Sequence, residues 1–419
     1  MEPRRVVITG LGAISPFGVG AARYFGGLRT GQSGLRRITL VDDPEIPCQV
    51  AAEVPDFHPA DHIVAADVAR VPRLVPIAVG AAREALADAG IMLETLDLSA
   101  QRQLGLIIGT GGGGIEFGER QYEAFYGRRT RTVTPYCVSS SFVGMLSSEI
   151  SIALGLRGIS HVVSTGCTSS TDAIGYAYQM VRWGEHERLL TGGAEACITR
   201  GLMAGFCRMR VMATRYNDTP QRASKPFDRQ RDGFILGEGA WLFVLESLEA
   251  ARERGARIYA ELVGYGSTCD AYHRVAVRAD GVESARAMQL ALQQAGVDAG
   301  RIQYVNLHGT ATVMNDPVET TAVKLVFNGS ARRVSTSATK SMIGHPQGAC
   351  GAAGLMAGVF SLREQFVPPT INYDDPDPAC DLDYTPNHGR AREIEYALCN
   401  TIAFGSKNSA LLLKRWESR

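Results

Sequence analysis

Cys167 is the residue in this chain whose setting best suits nucleophilic chemistry. It follows an apolar, β-branched run that ends in a small-residue turn, and residues 172–177 after it have helical spacing. A cysteine between a strand and a helix lies at the positive end of the helix dipole, which favours the thiolate. The free backbone N–H groups of such a turn can face a developing oxyanion. These features predict a nucleophile, although a lone cysteine is more often a buried structural thiol.

Two histidines in the second half of the chain are the candidates to join Cys167. His308 follows a predicted strand over residues 302–307, and His345 ends a Lys340-Ser341-Met342-Ile343-Gly344-His345 segment. A cysteine with two histidines suits acyl transfer, because the thiolate accepts the acyl group and neutral imidazoles donate to developing negative charge. Two alternatives stay open from the residues alone. One is a hydrolase whose histidine is a general base, and the other is a metal site, for which the remaining ligands lack motif spacing.

The composition limits the class of protein. The 419 residues include 43 basic and 43 acidic side chains, so no net charge favours nucleic acid or an anionic membrane. The nine cysteines form no Cys-x-x-Cys pair, and their odd number fits reduced thiols better than a disulfide framework. No apolar run approaches the roughly 18 residues of a membrane span. We therefore expect a cytoplasmic protein with no bound metal and neither a nucleic-acid nor a membrane partner.

Strand and helix patterns alternate along the whole chain, which predicts an α/β fold with helices on the faces of the sheet. The pattern begins again near residue 251, so residues 1–250 and 251–419 are predicted to be two copies of one plan. Each copy has its key residue where a strand ends, Cys167 in the first and His308 in the second. The patterns also predict a short first strand over residues 6–10 and one helix over residues 139–156.

The glycine run at residues 111–114 invites comparison with a phosphate-binding loop. It lacks the Gly-Lys-Ser/Thr that such a loop requires, and no acidic residue follows where a ribose would need one. Glycines there either let the backbone pass close to a neighbouring wall or leave room for a ligand. Gly112 is a candidate substrate-binding residue on the second interpretation.

Seven short segments together give the chain a specific resemblance to one family. The chain resembles the β-ketoacyl synthases (ketosynthases) of the thiolase superfamily over nearly its whole length. The segments are Val6-Val7-Ile8-Thr9-Gly10-Leu11-Gly12, Ser164-Thr165-Gly166-Cys167-Thr168-Ser169, Lys225-Pro226-Phe227-Asp228 with Arg231-Asp232-Gly233-Phe234, Leu236-Gly237-Glu238-Gly239, His308-Gly309-Thr310, Asn315-Asp316-Pro317-Val318-Glu319-Thr320 and Lys340-Ser341-Met342-Ile343-Gly344-His345.

The resemblance implies a thiolase fold, layered αβαβα from two similar halves, and a dimeric acyltransferase. The implied reaction is a decarboxylative Claisen condensation between an enzyme-bound acyl group and malonyl on acyl carrier protein. No cofactor is implied beyond the phosphopantetheine of that carrier protein. The residues implied to be catalytic are Cys167 as the acylated nucleophile, and His308 and His345 as donors to the malonyl thioester. Lys340 is implied to order the site, and Glu319 to pair with Lys340 or with a nearby water. Phe404 is implied to be an oxyanion donor and a gate. Thr310 and Thr312 match threonines that hydrogen-bond the phosphopantetheine arm, and Phe206 joins Gly112 among the substrate-binding candidates.

Two features favour the catalytic subunit of a type II polyketide synthase. Gly166 precedes the cysteine where fatty-acid enzymes more often have alanine, and residues 380–386 resemble the polyketide pattern. Such subunits usually pair with a cysteine-less paralogue, the chain-length factor. The alternatives are a homodimeric fatty-acid elongation synthase, a thiolase or thioester hydrolase, and a non-catalytic partner subunit, which the presence of Cys167 disfavours.

The chain departs from the family pattern in two places near the site. Pro346 and Gln347 follow His345 where a leucine-containing pair is more usual, and Ser406 and Lys407 replace smaller residues beside Phe404. Both departures indicate an unusual subgroup, and a reduced, polyene-type product is the interpretation we draw from them. Because acyl carrier protein is acidic, a basic patch is expected near the entrance, with Arg70, Arg73, Arg131 and Arg210 as candidates.

Overall fold

The computed structural model describes residues 2–127, 132–405 and 407–417. Most of its β-structure is one twisted, eleven-stranded sheet built from two blocks of five strands and one short addition. The strands of the first half are β1 (Val6–Ser15), β2 (Gly18–Val19), β3 (Arg36–Arg37), β4 (Val50–Ala51), β5 (Gly105–Gly109), β6 (Ser160–Val163), β7 (Arg188–Glu195) and β8 (Gly239–Ser247). Those of the second half are β9 (Ala260–Cys269), β10 (Tyr304–Asn306), β11 (Ser335–Ser337), β12 (Phe366–Val367), β13 (Arg390–Ala391), β14 (Tyr396–Ala403) and β15 (Lys407–Arg415).

The helices lie between these strands along the chain. They are α1 (Ala21–Thr30), α2 (Leu74–Asp88), α3 (Leu98–Gln103), α4 (Ile115–Gly127), α5 (Cys137–Ser141), α6 (Met145–Leu154), α7 (Ser169–Arg182), α8 (Arg200–Arg208), α9 (Leu248–Glu253), α10 (Val282–Ala295), α11 (Asn315–Phe327), α12 (Lys340–Ile343) and α13 (Cys350–Glu364). No helix within the described ranges combines the length and the hydropathy needed to cross a bilayer.

The two blocks of the sheet have the same topology. The order in the first is β6-β5-β7-β8-β1, and in the second β11-β10-β14-β15-β9. In each block the first two neighbouring pairs are parallel and the last two are antiparallel. The blocks meet where β1 and β9 pair over three residues. The prediction of two similarly built halves is confirmed, whereas the division at residues 250 and 251 stays a prediction.

Helices form three layers around the two blocks. Helix α2 packs on β1, β7 and β8, and α10 packs on β9, β14 and β15, so each covers the outer face of one block. Helices α7 and α13 contact each other and strands of both blocks, so they form the middle layer. Three buried apolar clusters fill the spaces between these layers. Because both faces of the sheet are covered, β1 and β8 are buried along their whole length. This is the αβαβα layering that the resemblance implies.

A repeated packing motif marks the first strand of each half. Gly10 and Gly12 lie in β1, and a Cβ at either would come within 2.1 Å of a backbone oxygen of α2. In β9 the same holds for Gly264 and Gly266, where a Cβ would lie within 2.2 Å of a backbone oxygen of α10. Both strands therefore use a Gly-x-Gly pair to let the covering helix approach closely. The helices present alanines at a spacing of four to these glycines: Ala81 and Ala85 in α2, and Ala287 and Ala291 in α10.

Two predicted elements are wrong in extent. The first strand does not turn after Gly10 but continues to Ser15, because residues 11–14 stay paired with β8, Ser15 pairs with Gly18 of β2, and all of them are buried. The single helix predicted over residues 139–156 is two helices, α5 and α6, separated at residues 142–144. Phe142 has extended backbone and ends α5, and the apolar spacing across the break concealed this interruption.

Candidate functional site

The nucleophile candidate lies where the sequence predicts it, between β6 and α7. Cys167 is buried, and its sulfur lies 3.2 Å from Nε2 of His345. Burial, reinforced by the neighbouring thiol of Cys350, raises the pKa of Cys167, whereas the charge of Lys340 and the backbone N–H of Phe404 lower it. The net pKa is raised, so burial disfavours the thiolate that a position before a helix favours.

The two predicted histidines converge on Cys167 from the other half of the molecule. One ligand-type atom from each of Cys167, His308 and His345 lies within 4.8 Å of the others, and all three residues are buried. The imidazole rings of His308 and His345 meet edge to face, with centroids 5.3 Å apart. Phe234 packs on His345 in the same manner. The three side chains therefore form one compact cluster at the junction of the two halves.

Both imidazoles of this cluster favour the neutral form. Burial lowers the pKa of His308 and of His345 well below the ordinary value, and the charge of Lys340 lowers both further. The ammonium of Lys340 lies 3.3 Å from Nδ1 of His308 and donates to the backbone oxygen of the same residue at 2.6 Å. Because Nδ1 of His308 faces a donor, its ring proton lies on Nε2. That nitrogen is then a hydrogen-bond donor, not a metal ligand, which disfavours the metal-site alternative.

Glu319 supports His308 by a route that the sequence did not predict. Its carboxylate accepts from the backbone N–H groups of His308 and Gly309, each at 2.7 Å, and from the side-chain amide of Asn400 at 2.7 Å. Lys340 is not among its hydrogen-bond or ion-pair partners in the described structure. Burial raises the pKa of Glu319 to about 7 despite these three donors. Glu319 therefore holds the turn that carries His308, and Asn400 is a supporting residue for which the sequence carries no signal.

A cavity of about 180 Å³ connects this cluster with the surface. Cys167, both histidines, Thr310, Thr312 and Phe404 line it. The two threonine hydroxyls lie 3.0 Å apart, and Thr312 also accepts from the backbone N–H of Asn315. Phe404 is half-buried, and Gly405 after it has a positive φ of 81°. Ser406 lies outside the described residues, and Lys407 begins β15.

The remaining substrate-binding candidates lie farther from the sulfur. Phe206 packs edge to face on Phe234, which separates it from His345. Gly112 lines a second cavity of about 1280 Å³ between α4 and α8. A Cβ at Gly112 would lie 2.3 Å from the sulfur of Cys197, and each of the other glycines at 111–114 would also meet an atom within 3 Å. Close packing therefore accounts for the glycine run, and the role of Gly112 in chain binding stays a prediction.

The basic residues named for the entrance have different surroundings. Arg73 is paired with the buried carboxylate of Glu238 at 2.7 Å, so its charge is used inside the protein. Arg70 pairs with Asp67 at 2.8 Å on the surface. Arg210 lines the 180 Å³ cavity, and Arg131 lies outside the described residues. Of the four, Arg210 has the position expected of an entrance residue.

Family models match both halves of the chain. The model described as β-ketoacyl synthase, N-terminal domain, matches residues 3–251, and the model of the C-terminal domain of the same family matches residues 259–374. Among curated proteins, 3-oxoacyl-[acyl-carrier-protein] synthase 2 of Synechocystis sp. is 39% identical over 417 residues, covering 100% of this chain and 99% of that protein. The protein with the same name from Staphylococcus aureus strain N315 is 40% identical, and each chain is covered completely.

Solved structures of polyketide enzymes are also similar. One is a type II polyketide synthase acyl-carrier protein in complex with its ketosynthase bound to the hexaketide. One chain of that structure superposes on the present chain with a TM-score of 0.90 and is 30% identical to it. The match covers 99% of the present chain and 100% of the solved one. Another is the ishigamide ketosynthase/chain length factor, with a TM-score of 0.90 at 36% identity and the same coverage. The similarity thus extends along the whole chain and includes both fatty-acid and polyketide enzymes.

Proposed function

The chain belongs to the β-ketoacyl synthase family of acyltransferases, and we propose that it extends a polyketide chain by decarboxylative condensation with malonyl-acyl carrier protein. The observation that carries the proposal is the buried cluster of one thiol and two neutral imidazoles at the end of a cavity. A thiol can hold an acyl group as a thioester, and a neutral imidazole can donate to an enolate without giving up its proton.

The first half-reaction loads the acyl group onto Cys167. The sulfur attacks the thioester of an acyl carrier protein, the new C–S bond forms, and the phosphopantetheine thiol leaves. The proton of Cys167 passes to that leaving sulfur, and Nε2 of His345 lies 3.2 Å from the Cys167 sulfur during the attack. The backbone N–H groups of Cys167 and Phe404 are the proposed donors to the tetrahedral oxyanion. Burial raises the pKa of Cys167, so the attack starts from the thiol.

The second half-reaction forms the carbon–carbon bond. Malonyl loses carbon dioxide, and the electron pair of the broken bond becomes an enolate whose oxygen accepts from Nε2–H of His308 and His345. The enolate carbon attacks the acyl thioester, and the thiolate of Cys167 leaves and takes up a proton from solvent. Loss of carbon dioxide generates the carbanion, so the site needs donors and not a strong base. Thr310 and Thr312 are the proposed contacts of the phosphopantetheine arm, which is the only prosthetic group that the reaction requires.

The proposed assembly is a heterodimer with a chain-length-factor paralogue, and a homodimer is the alternative. Strand β6 is the end strand of its block, so it forms one edge of the sheet, and it is partly exposed. This edge is the proposed place of assembly. Large apolar side chains are exposed in the neighbouring segments, Val138 at 62%, Phe142 at 65% and Ile152 at 76%. An unpaired strand edge beside exposed apolar groups favours a protein partner. The proposed compartment is the cytoplasm, where the nine free cysteines would stay reduced.

The test is reconstitution with and without a candidate paralogue. The chain is expressed alone and together with the paralogue, its size is measured, and acyl and malonyl carrier proteins are added. An active complex only with the paralogue supports the polyketide proposal. A stable, active homodimer that elongates simple acyl chains assigns the protein to fatty-acid synthesis instead, which is the second candidate function and is favoured by the curated relatives.

Cys167→Ala is the variant that tests the assigned nucleophile. It should abolish acyl loading, measured by intact-protein mass, yet still release carbon dioxide from malonyl-acyl carrier protein, because the histidines perform that step. Retained acylation of the variant would remove Cys167 from its role. Cys137→Ala, which changes a cysteine of α5, is the matched control and should still be acylated at Cys167.

A further inference from the structure

Gln347 is a side chain at the nucleophile that the proposed reaction has not used. Its Oε1 lies 4.0 Å from the sulfur of Cys167. Its Nε2 is buried and has no hydrogen-bond partner among the described residues. A buried amide N–H without a partner is costly, so one beside a reactive sulfur needs an explanation. The resemblance leads to the expectation of leucine in this segment, and an apolar side chain would carry no such cost.

The backbone fixes this amide in place. Gln347 has a positive φ of 35°, which is uncommon for a residue with a side chain. The next residue, Gly348, donates its N–H to the buried carboxylate of Glu195 at 2.9 Å, and a Cβ at Gly348 would lie 2.2 Å from the backbone nitrogen of Gly111. Ala349 closes the turn by donating to the backbone oxygen of Pro346 at 2.8 Å. The hydrogen-bonded turn of residues 346–349 therefore holds Gln347 near the sulfur of Cys167.

An acyl group on Cys167 would reach this amide with its first carbons. Once the thioester forms, the sulfur no longer carries a proton that it could donate to Oε1 of Gln347. In an extended thioester, standard bond lengths put the third carbon about as far from the sulfur as Oε1 of Gln347 lies. A hydroxyl on the third carbon can accept from Nε2 and donate to Oε1, and a keto oxygen there can accept from Nε2, whereas a saturated carbon leaves the amide unpaired.

We propose that Gln347 is a specificity-determining residue that hydrogen-bonds an oxygen on the third carbon of the acyl group held by Cys167. The site then takes 3-oxoacyl or 3-hydroxyacyl chains in preference to saturated ones. This inference rests on the proposed function, because it assumes that Cys167 is acylated. Sites with a buried polar group discriminate strongly against a substrate that lacks its partner. One hydrogen bond corresponds to a preference of about tenfold.

The experiment compares acylation of Cys167 by four thioesters of N-acetylcysteamine with six-carbon chains. These are the hexanoyl, trans-2-hexenoyl, 3-hydroxyhexanoyl and 3-oxohexanoyl thioesters, and the rate is followed by intact-protein mass on the assembled enzyme. We expect either oxygenated chain to load about tenfold faster than hexanoyl in the wild type. In Gln347→Leu the ratio should fall to about one or reverse, because leucine favours the hydrocarbon. Gln289→Leu, the same exchange at an exposed position of α10, should keep the wild-type ratio.

Each outcome decides a different point. Equal rates for hexanoyl and both oxygenated chains in the wild type would overturn the inference, and so would a preference that Gln347→Leu does not change. Fastest loading of the trans-2-hexenoyl chain would also overturn it, since that chain carries no oxygen at the third carbon and fits a polyene-type product. If no thioester acylates Cys167 while the fold is intact, the proposed function fails and not merely the specificity of Gln347.

Discussion

Replacing Glu319 by glutamine should remove a pH dependence from the stability of the protein. The carboxyl group has a pKa of about 7 in the folded chain, raised by burial from the ordinary value of 4.5. The folded state then binds the proton more tightly than the unfolded state does. Stability is highest where Glu319 is protonated and falls as the pH rises from the unfolded pKa through the folded one. Above the folded pKa the loss is complete.

The magnitude follows from the two pKa values. Integrated over both titrations, the loss between pH 5 and pH 8 is about 2.5 kcal/mol, at 1.36 kcal/mol for each unit of pKa difference. Glutamine does not titrate, so Glu319→Gln loses this slope. It also places an amide NH₂ toward one of two donors, the N–H of His308 or that of Gly309, which costs about 1–3 kcal/mol at all pH values. Asn400 can turn to offer its Oδ1, which has no partner among the described residues.

Denaturant unfolding of both proteins at a series of pH values is the assay. The difference in free energy of unfolding, wild type minus Glu319→Gln, should fall by about 2.5 kcal/mol from pH 5 to pH 8. Glu94→Gln, a change at an exposed glutamate, controls for the loss of one carboxyl group and should not reproduce the slope. A constant difference for Glu319→Gln would refute the reasoning, because it would mean that the buried carboxyl group is ionised throughout.

Three further substitutions test the site. His308→Ala should leave acyl loading largely intact and stop condensation, measured on the carrier-protein products, whereas equal loss of both steps would indicate a general base. Lys340→Met removes the charge that lowers the pKa of both histidines, so the pKa of His308 and of His345 should rise. ¹⁵N spectra of labelled imidazoles recorded over a pH series would detect the rise, and unchanged pKa values would contradict the assigned cause. Gly112→Leu adds a side chain whose Cβ would meet the sulfur of Cys197 at 2.3 Å, so products should become shorter by mass, and unchanged chain length would exclude Gly112 from the acyl-binding wall.

The sequence predicted the layered fold because its signals are local. Apolar β-branched runs and helical spacing identify most of the sheet strands and long helices, and the repeated alternation indicates two halves. It did not predict where α5 ends, because Phe142 fits an apolar helical face yet has extended backbone. The Gly-x-Gly pairs of β1 and β9, opposite alanines spaced by four, were a signal of duplication that could have been used.

The site was predictable in its residue types and less so in its contacts. Motifs identify Cys167, His308 and His345. The side-chain partner of Glu319 is Asn400, which lies on β14 and approaches Glu319 only in the folded chain. The position of Gln347 depends likewise on Glu195, more than 150 residues earlier, whose carboxylate holds the turn at Gly348. Contacts between residues so far apart produce no recognisable spacing pattern in the sequence.

Protonation is the property that sequence motifs least reveal, and here it decides the chemistry. A cysteine at a helix start suggests a thiolate, yet the site buries Cys167 and both histidines together, and burial disfavours every charged form. Lys340 is the cation that faces these groups, and its charge further disfavours protonated imidazole. The result is a thiol and two neutral donors, which suits a reaction whose carbanion comes from loss of carbon dioxide. A catalyst that had to abstract a proton from carbon would need a basic group, and burial together with the charge of Lys340 gives His308 and His345 the opposite character.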